Sequence, residues 1–246
     1  MTDILLKENE RIDDLDVNGF RIIQNPFCFC FGMDAVLLSN FTRVNPKAVG
    51  LDIGTGTGII PLLMTAKSKG VNWTGLEVQS NMVDMASRSV QLNAAEDRIK
   101  IVEGDIKKVR EIFSPGQFNI VTSNPPYMKE SGGLSSPSDT IRISRQEVLA
   151  TLEDVVSGAS YLLKTGGTFS MVHRPSRLPE IMEMLLKYRL EPKRMQLVQP
   201  QRDKEPNMVL IECVKEAGKE LRLLPTLVVY NKDGSYTDEL LAYYNS

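Results

Sequence analysis

A chain of 246 residues, 42% apolar and 24% charged, has the length and composition of one soluble α/β domain with at most a modest extension. Its 29 lysines and arginines nearly balance 31 aspartates and glutamates, so the net charge of −2 neither announces nor excludes a nucleic-acid partner. No apolar run approaches the ~18 residues of a membrane span, the start Met1-Thr2-Asp3-Ile4-Leu5-Leu6-Lys7-Glu8 is too short and acidic for a signal peptide, and one histidine (His173) with three cysteines offers no metal-ligand spacing.

The chain therefore reads as a cytoplasmic protein with reduced thiols, no metal and no membrane attachment. Its acidic first segment carries Asp3, Glu8, Glu10, Asp13, Asp14 and Asp16. Asp16-Val17-Asn18-Gly19 predicts a hairpin turn before the run Phe20 to Phe31, in which Cys28 and Cys30 alternate with phenylalanines as strand residues. Gly32-Met33-Asp34 opens a helix over Ala35 to Phe41. Strands and helices then alternate: strand Ala48 to Ile53, helix Ile59 to Lys69 closed by Gly70, strand Val71 to Val78, helix Ser80 to Ala94. Next come strand Ile99 to Glu103, a short helix Lys107 to Phe113, and strand Phe118 to Ser123.

A Ser-, Gly- and Pro-rich loop, Met128 to Ile143, exceeds the usual strand-to-helix connection. After it the pattern predicts a helix from Gln146 to Leu163, a Gly166-Gly167 turn, strand Thr168 to Val172 and helix Leu178 to Tyr188. Met195 to Val198 and Met208 to Val214 are the last two sheet strands, and Leu224 to Tyr230 adds a short one. Such alternation implies a parallel sheet covered on both faces.

Chemistry-bearing motifs sit where these strands end. Leu51-Asp52-Ile53-Gly54-Thr55-Gly56-Thr57-Gly58 closes the first alternating strand and opens its helix. Its glycines allow a tight turn and close ligand approach. The dinucleotide pattern G-x-G-x-x-G wants its third glycine at position 59, which is Ile59. An acid at Asp52 is an odd neighbour for a pyrophosphate and a good one for an ammonium or sulfonium; the alternative is a structural glycine turn. Glu77 ends the next strand about 20 residues on, where an acid accepts from ribose hydroxyls, or is an ordinary solvated strand-end acid. Asp105, in Gly104-Asp105-Ile106 after the third strand, suits an adenine amino group or a helix N-cap, and both roles are compatible.

Asn124-Pro125-Pro126-Tyr127 follows the fourth strand. The two prolines stop helix and sheet alike, and a side-chain amide, a rigid turn and an aromatic ring suit a planar substrate bearing an NH2 group. The order Asp52 loop, Glu77, Asp105, Asn124 turn occupies successive strand ends, which form the ligand crevice of an open α/β sheet.

With those residues the chain resembles the class I S-adenosylmethionine-dependent methyltransferases that methylate amino groups, over roughly Lys47 to Val214. A narrower resemblance, to the bacterial tRNA(1)(Val) (adenine-37-N6)-methyltransferases, rests on three further stretches. These are Gln24-Asn25 through Phe31-Gly32-Met33-Asp34-Ala35-Val36-Leu37-Leu38, then Val172-His173-Arg174-Pro175-Ser176-Arg177-Leu178, then Glu205-Pro206-Asn207-Met208-Val209-Leu210-Ile211-Glu212. Arg145-Gln146-Glu147 departs slightly from that group's Arg-His-Glu.

The resemblance implies a Rossmann-like α/β fold, a seven-stranded mostly parallel sheet with its last strand antiparallel. A short N-terminal β/α extension (1–46) would cap the cofactor site of the domain at 47–246. S-adenosyl-L-methionine would lie against Asp34, Asp52, Gly54, Thr55, Gly56, Gly58, Glu77, Val78, Asp105, Ile106 and Asn124. Asn124 and the Pro125 carbonyl would accept the target amine's protons while Tyr127 stacks on the base. The substrate would be an adenosine in tRNA, at position 37 beside the anticodon of a valine tRNA, and the enzyme a monomer. Lys129, Arg142, Arg145, His173, Arg174, Arg177, Arg202 and Lys204 are the candidate RNA contacts; the alternative is a set of solvated surface residues.

Three other functions compete. Release-factor glutamine-N5 methyltransferases hold an amide with the same Asn-Pro-Pro-Tyr turn, but usually carry a helical N-terminal domain for which this chain has no room. A non-enzymatic Rossmann-type nucleotide-binding module would explain the glycines but neither the spacing at Gly58 nor the Asn124 turn. A DNA adenine methyltransferase would need a recognition domain, and the length leaves none.

Overall fold

The computed structural model describes residues 6–27, 30–68, 70–125 and 150–244. Its first element is a hairpin, β1 (Arg11–Asp14) and β2 (Arg21–Gln24). The turn falls where the sequence puts it, with Asp16, Asn18 and Gly19 at positive φ. Asn and Asp tolerate that conformation and Gly adopts it freely. The run to Phe31 is shorter than expected: β2 ends at Gln24, and Cys30 lies outside any strand. Cys28 falls outside the described residues.

Helix α1 (Met33–Phe41) follows, then β3 (Val49–Ile53), α2 (Ile59–Lys67), β4 (Asn72–Glu77), α3 (Ser80–Leu92) and β5 (Ile99–Glu103). A 3-10 turn at Ile106–Lys108 leads into α4 (Val109–Ile112), and β6 (Phe118–Ser123) ends as its pattern predicts. Beyond residue 149 the order is α5 (Leu152–Leu162), β7 (Leu163–His173), α6 (Leu178–Lys187), β8 (Leu190–Gln199) and β9 (Met208–Lys215). Two short strands, β10 (Arg222–Leu223) and β11 (Leu227–Val228), and helix α7 (Asp238–Tyr244) complete the chain.

The main sheet runs β10-β8-β9-β7-β6-β3-β4-β5, with β11 also on β8. Neighbours from β5 to β7 are parallel, and β9 is antiparallel to both β7 and β8. The seven expected strands are present, and the tail adds two more at the edge, both parallel to β8. From β3 the chain builds outward through β4 and β5, then returns to place β6 on the other side of β3. That reversal opens a crevice at the carboxyl ends of β3 and β6, the switch point where open α/β sheets bind ligands.

Local chemistry explains three boundaries. Helix α5 begins at Leu152, where Thr151 caps it, and Gln146, where the pattern opens a helix, lies outside the described residues. The Thr151 hydroxyl accepts from the Asp154 amide (3.1 Å), and the Asp154 carboxylate accepts from the Thr151 amide (2.9 Å). Gly166-Gly167 is not a free turn; it lies inside β7 beside a register shift in its pairing with β6. Strand β8 starts at Leu190, because Pro192, which lacks an N–H, sits at a bulge in the pairing with β9.

Burial follows the periodicities. On α3 the buried residues are Met82, Met85, Ala86, Ser89 and Val90, one face of a helix, and Ile23 packs onto Met82 and Met85. The hairpin is anchored on α3 as well by Glu10, which with Asp84 holds the Arg88 guanidinium at 2.6–2.7 Å. Helices α1 and α2 share one core with β4 and the C-terminal helix, while α5, α6 and the centre of the sheet form a second.

Cross-strand partners Gly50 and Trp73 interlock tightly. A Cβ on Gly50 would approach the indole to 2.6 Å, and Trp73 is 1% exposed. Gly50→Ala is expected to destabilise the fold by about 1–3 kcal/mol, the usual penalty for overpacking. Urea unfolding measures it; a midpoint equal to the parent's would show that the indole can shift.

Candidate functional site

Four neighbouring strands deliver the candidate residues to one edge. In sheet order β6-β3-β4-β5, the carboxyl ends carry Asn124-Pro125, Asp52 with the glycine loop, Glu77-Val78, and Gly104-Asp105. The loop is shaped by Gly54, Gly56 and Gly58 at φ of 69°, 57° and 85°. Conformation rather than crowding demands glycine at the first two, since a Cβ there would meet nothing within 4 Å. Open space above Gly54 and Gly56 is what a cofactor held by this loop requires. Gly58 caps α2. Thr55 is buried, and its methyl group lies over Gly75, where a Cβ would approach it to 2.7 Å.

Asp52 is 1% exposed and accepts from the Thr122 hydroxyl at 2.7 Å. Burial pushes its carboxyl up to about 7; the hydroxyls of Thr122 and Thr55 act against that, and the charge of Glu77 adds to it. A cation placed beside it would favour the ionised form.

The raised value has a thermodynamic consequence. From about pH 4 to 7 the folded chain retains a proton that the unfolded chain has lost. Stability from this group is thus full below about pH 4 and is lost as pH rises through about 7. Asp52→Asn is expected to flatten that part of the stability profile. Unfolding midpoints between pH 5 and 8 report it, and parallel profiles for the two proteins would mean Asp52 is ionised throughout.

Glu77 is buried but well supplied with donors. Its Oε1 accepts from the amides of Val78 and Gln79 (both 3.0 Å), and Oε2 from the amide of Gly56 (2.9 Å). The acid is therefore no solvated strand end; it ties the glycine loop to β4. Val78, just past the strand, is 37% exposed and offers an apolar surface beside it.

Asp105 caps the 3-10 turn, accepting from the Lys107 amide at 2.9 Å, with the Lys107 ammonium 3.6 Å from its other oxygen. Ile106 is 7% exposed and turned into the second core, where it abuts Gly158. Ile106 thus supports the strand end from behind. Asp34 lies in the first turn of α1, where its carboxylate accepts from the Ala35 amide.

Asn124 is the site's conspicuous group. Its Oδ1 is buried and has no hydrogen-bond partner among the described residues. An orphaned amide oxygen costs on the order of 1–3 kcal/mol, so it marks a place where a donor belongs. Pro125 is buried beside it; Tyr127, Lys129, Arg142 and Arg145 lie outside the described residues.

One contributor escaped the sequence reading. Gln24, fully buried at the end of β2, donates to the Thr57 hydroxyl of the glycine loop (3.0 Å) and accepts from the Phe31 amide (3.1 Å). It joins the N-terminal segment to the loop. Composition gave no sign of this, though Gln24 begins one of the stretches that carry the narrower resemblance.

The candidate RNA contacts are mixed. The loop between β8 and β9 lies at the carboxyl edge, as expected from the antiparallel pairing, and Arg174 reaches it by donating to the Asn207 carbonyl (2.9 Å). Arg202 and Lys204 are exposed there, with Arg202 3.3 Å from Glu239. Arg177 is held by Glu180 at 2.7 Å. His173 needs correction: it is 1% exposed, and burial together with Arg177 and Arg174 holds its imidazole down to about 4. A neutral, buried ring whose Nδ1 accepts from the Arg174 amide braces the strand end rather than a surface partner.

Comparison with known proteins gives consistent matches. The family model described as the methyltransferase small domain matches residues 32–194. A tRNA1(Val) (adenine(37)-N6)-methyltransferase of Porphyromonas gingivalis is 29% identical over 92% of this chain and 91% of its own. Its namesake from Bacteroides thetaiotaomicron is 30% identical over 85% and 81% respectively. A solved structure described as a predicted O-methyltransferase from Agrobacterium tumefaciens superposes with a TM-score of 0.72 at 22% identity, covering 87% of this chain and 96% of that one.

Proposed function

This chain belongs to the methyltransferase small domain family, and from that premise we propose that it transfers a methyl group from S-adenosyl-L-methionine to N6 of an adenosine in tRNA, at position 37 beside the anticodon. The observation that carries the reading is the unpartnered Asn124 Oδ1 beside the glycine loop. The curated relatives of that activity, matched over about nine-tenths of the chain in one case, favour an adenine amine over a protein glutamine.

The cofactor, when bound, supplies an electrophilic methyl group on sulfur. Asp52 provides a buried anion for its cationic end, Glu77 and the loop amides the neighbouring polar surface, and Val78 an apolar contact. An exocyclic adenine amine is a weak nucleophile because its lone pair is delocalised into the ring. Asn124 Oδ1 accepts one of its N–H groups, which favours a tetrahedral nitrogen and stabilises the positive charge that develops there. This is the cationic counterpart of an oxyanion hole. The proton becomes acidic only once that charge has formed, so neither His173 nor a carboxylate must act as base. The target base must leave its stack at a cost of a few kcal/mol, and the Asn124 turn receives it.

The N-terminal segment 1–46 serves as a cap on the cofactor loop through Gln24. The same reading places the protein in the cytoplasm, where tRNA is modified; no helix among the described residues is long and apolar enough to cross a membrane. The deciding experiment is methylation of total tRNA from cells lacking this gene, followed by nucleoside mass spectrometry. N6-methyladenosine is expected; methylated glutamine in a release factor, with no modified nucleoside, would overturn the assignment.

A further inference from the structure

The edge of the sheet opposite the proposed methyl-transfer site holds an open cleft of about 730 Å³. Its walls are the segment leading into β3, the starts of β6 and β7, the middle of β8 and β9, and the tail at β10. Six cations line it against two acids. Arg194 is spoken for: it forks onto Glu212 at 2.8–3.0 Å and lies over the Phe41 ring. Lys193 donates to the Gly218 carbonyl. The remaining four, Arg43, Lys47, Lys164 and Arg222, are exposed and form no side-chain hydrogen bond or ion pair among the described residues, and Glu220 is the only acid left to oppose them.

Such a cluster is not the background of a basic protein, since the net charge is −2. It also contrasts with the active edge, where Arg177 and Arg202 face acids and the loop sequence Arg202-Asp203-Lys204-Glu205 cancels itself. The cations sit on strand starts and short connections of one sheet, so their spacing is fixed by the fold. Among the described residues no aromatic side chain lines the cleft, so it offers no platform on which a nucleobase would stack. A ligand that satisfies it carries several negative charges in series and needs no base recognition.

We propose that this cleft grips the phosphodiester backbone of the substrate tRNA at a point remote from the target adenosine. The inference rests on the tRNA reading above. A six-residue strand such as β6 is roughly 20 Å long, so one ligand touching both edges must reach past the strand and the loops at its two ends, as the body of a whole tRNA does beyond its anticodon stem-loop. Phosphate contacts of this kind position a nucleic acid without reading its sequence. They would supply affinity that the paired cations of the active edge do not.

The test uses Arg43→Ala/Lys47→Ala/Lys164→Ala in the full chain, all three being surface positions. Full-length unmodified tRNA and a short stem-loop bearing the same adenosine are titrated by fluorescence anisotropy across a salt series. Affinity of the variant for full-length tRNA is expected to fall at least tenfold, with its salt slope reduced by about 2–3, close to one per lost phosphate contact. Stem-loop affinity should be unchanged, and Lys or Arg exchanges that keep the charge should restore tRNA binding. Unaltered tRNA affinity and slope overturn the inference. So does pyrophosphate binding that the variant loses while its tRNA affinity stays at the parental level, because the cleft would then serve a small phosphate. Methyl transfer by the parent protein to the same tRNA is measured first. Its absence would sink the activity reading; its presence, with a variant that binds like the parent, would sink only the cleft.

Discussion

Asn124→Ala is expected to lower single-turnover methyl transfer to unmodified tRNA by on the order of 10²–10³, by analogy with deleting one donor of an oxyanion hole. The side chain is the acceptor that mutation can remove, because the neighbouring Pro125 acceptor belongs to the backbone. The orphaned state of Oδ1 sharpens the expectation. Truncation takes away a buried polar atom that no other described group needs, so the variant should fold as well as the parent or slightly better. Cofactor affinity should barely change, since it rests on the loop at Gly54 to Gly58 and on Glu77. Asn124→Asp keeps an acceptor and should retain partial activity. Radiolabelled methyl transfer, with cofactor binding measured in parallel, separates chemistry from binding. Parental turnover in the alanine variant would make the turn merely structural and remove the basis of the proposed mechanism.

Glu77→Ala should weaken S-adenosyl-L-methionine binding by about 1–3 kcal/mol, the range for charge-assisted hydrogen bonds. The structure adds a second consequence. Three backbone amides, those of Gly56, Val78 and Gln79, lose their acceptor, so the loop itself should loosen. Glu77→Gln distinguishes the two effects. Its single amide oxygen can still accept from Val78 and Gln79 but its NH2 would face the Gly56 amide, so thermal stability should return only in part, while affinity lost with the charge should not. Titration calorimetry reads the first quantity and a melting curve the second. Undiminished cofactor affinity in a folded alanine variant would take Glu77 out of the binding surface.

The two variants act on different strands, β6 and β4, separated by β3. Their effects should therefore divide between kcat-type and binding-type terms rather than overlap. The same division explains why the cations were harder to judge than the acids. An acid at a strand end is placed by the strand, whereas a long cationic side chain finds its partners wherever the fold puts them. Arg177 and Arg202 met carboxylates, and His173 was folded inside.

The alternation of strands and helices, the glycine loop with Gly58 as its third glycine, and the placing of Asp52, Glu77, Asp105 and Asn124 at strand ends are all legible in the residues alone. These are local properties: the apolar runs set the strands, and glycine and proline mark where they stop. The end of β6 at Ser123 is legible there too, because two prolines leave no N–H for a ladder. What those residues face depends on how distant segments come together. Thr122 donates to Asp52 because β6 lies beside β3 in a register that pairs these two positions. Gln24 reaches Thr57 because the hairpin packs on α3, and Arg43, Lys47 and Lys164 meet at one cleft because β3, β6 and β7 begin on the same edge. Register and docking depend on contacts between distant segments, which no local pattern encodes.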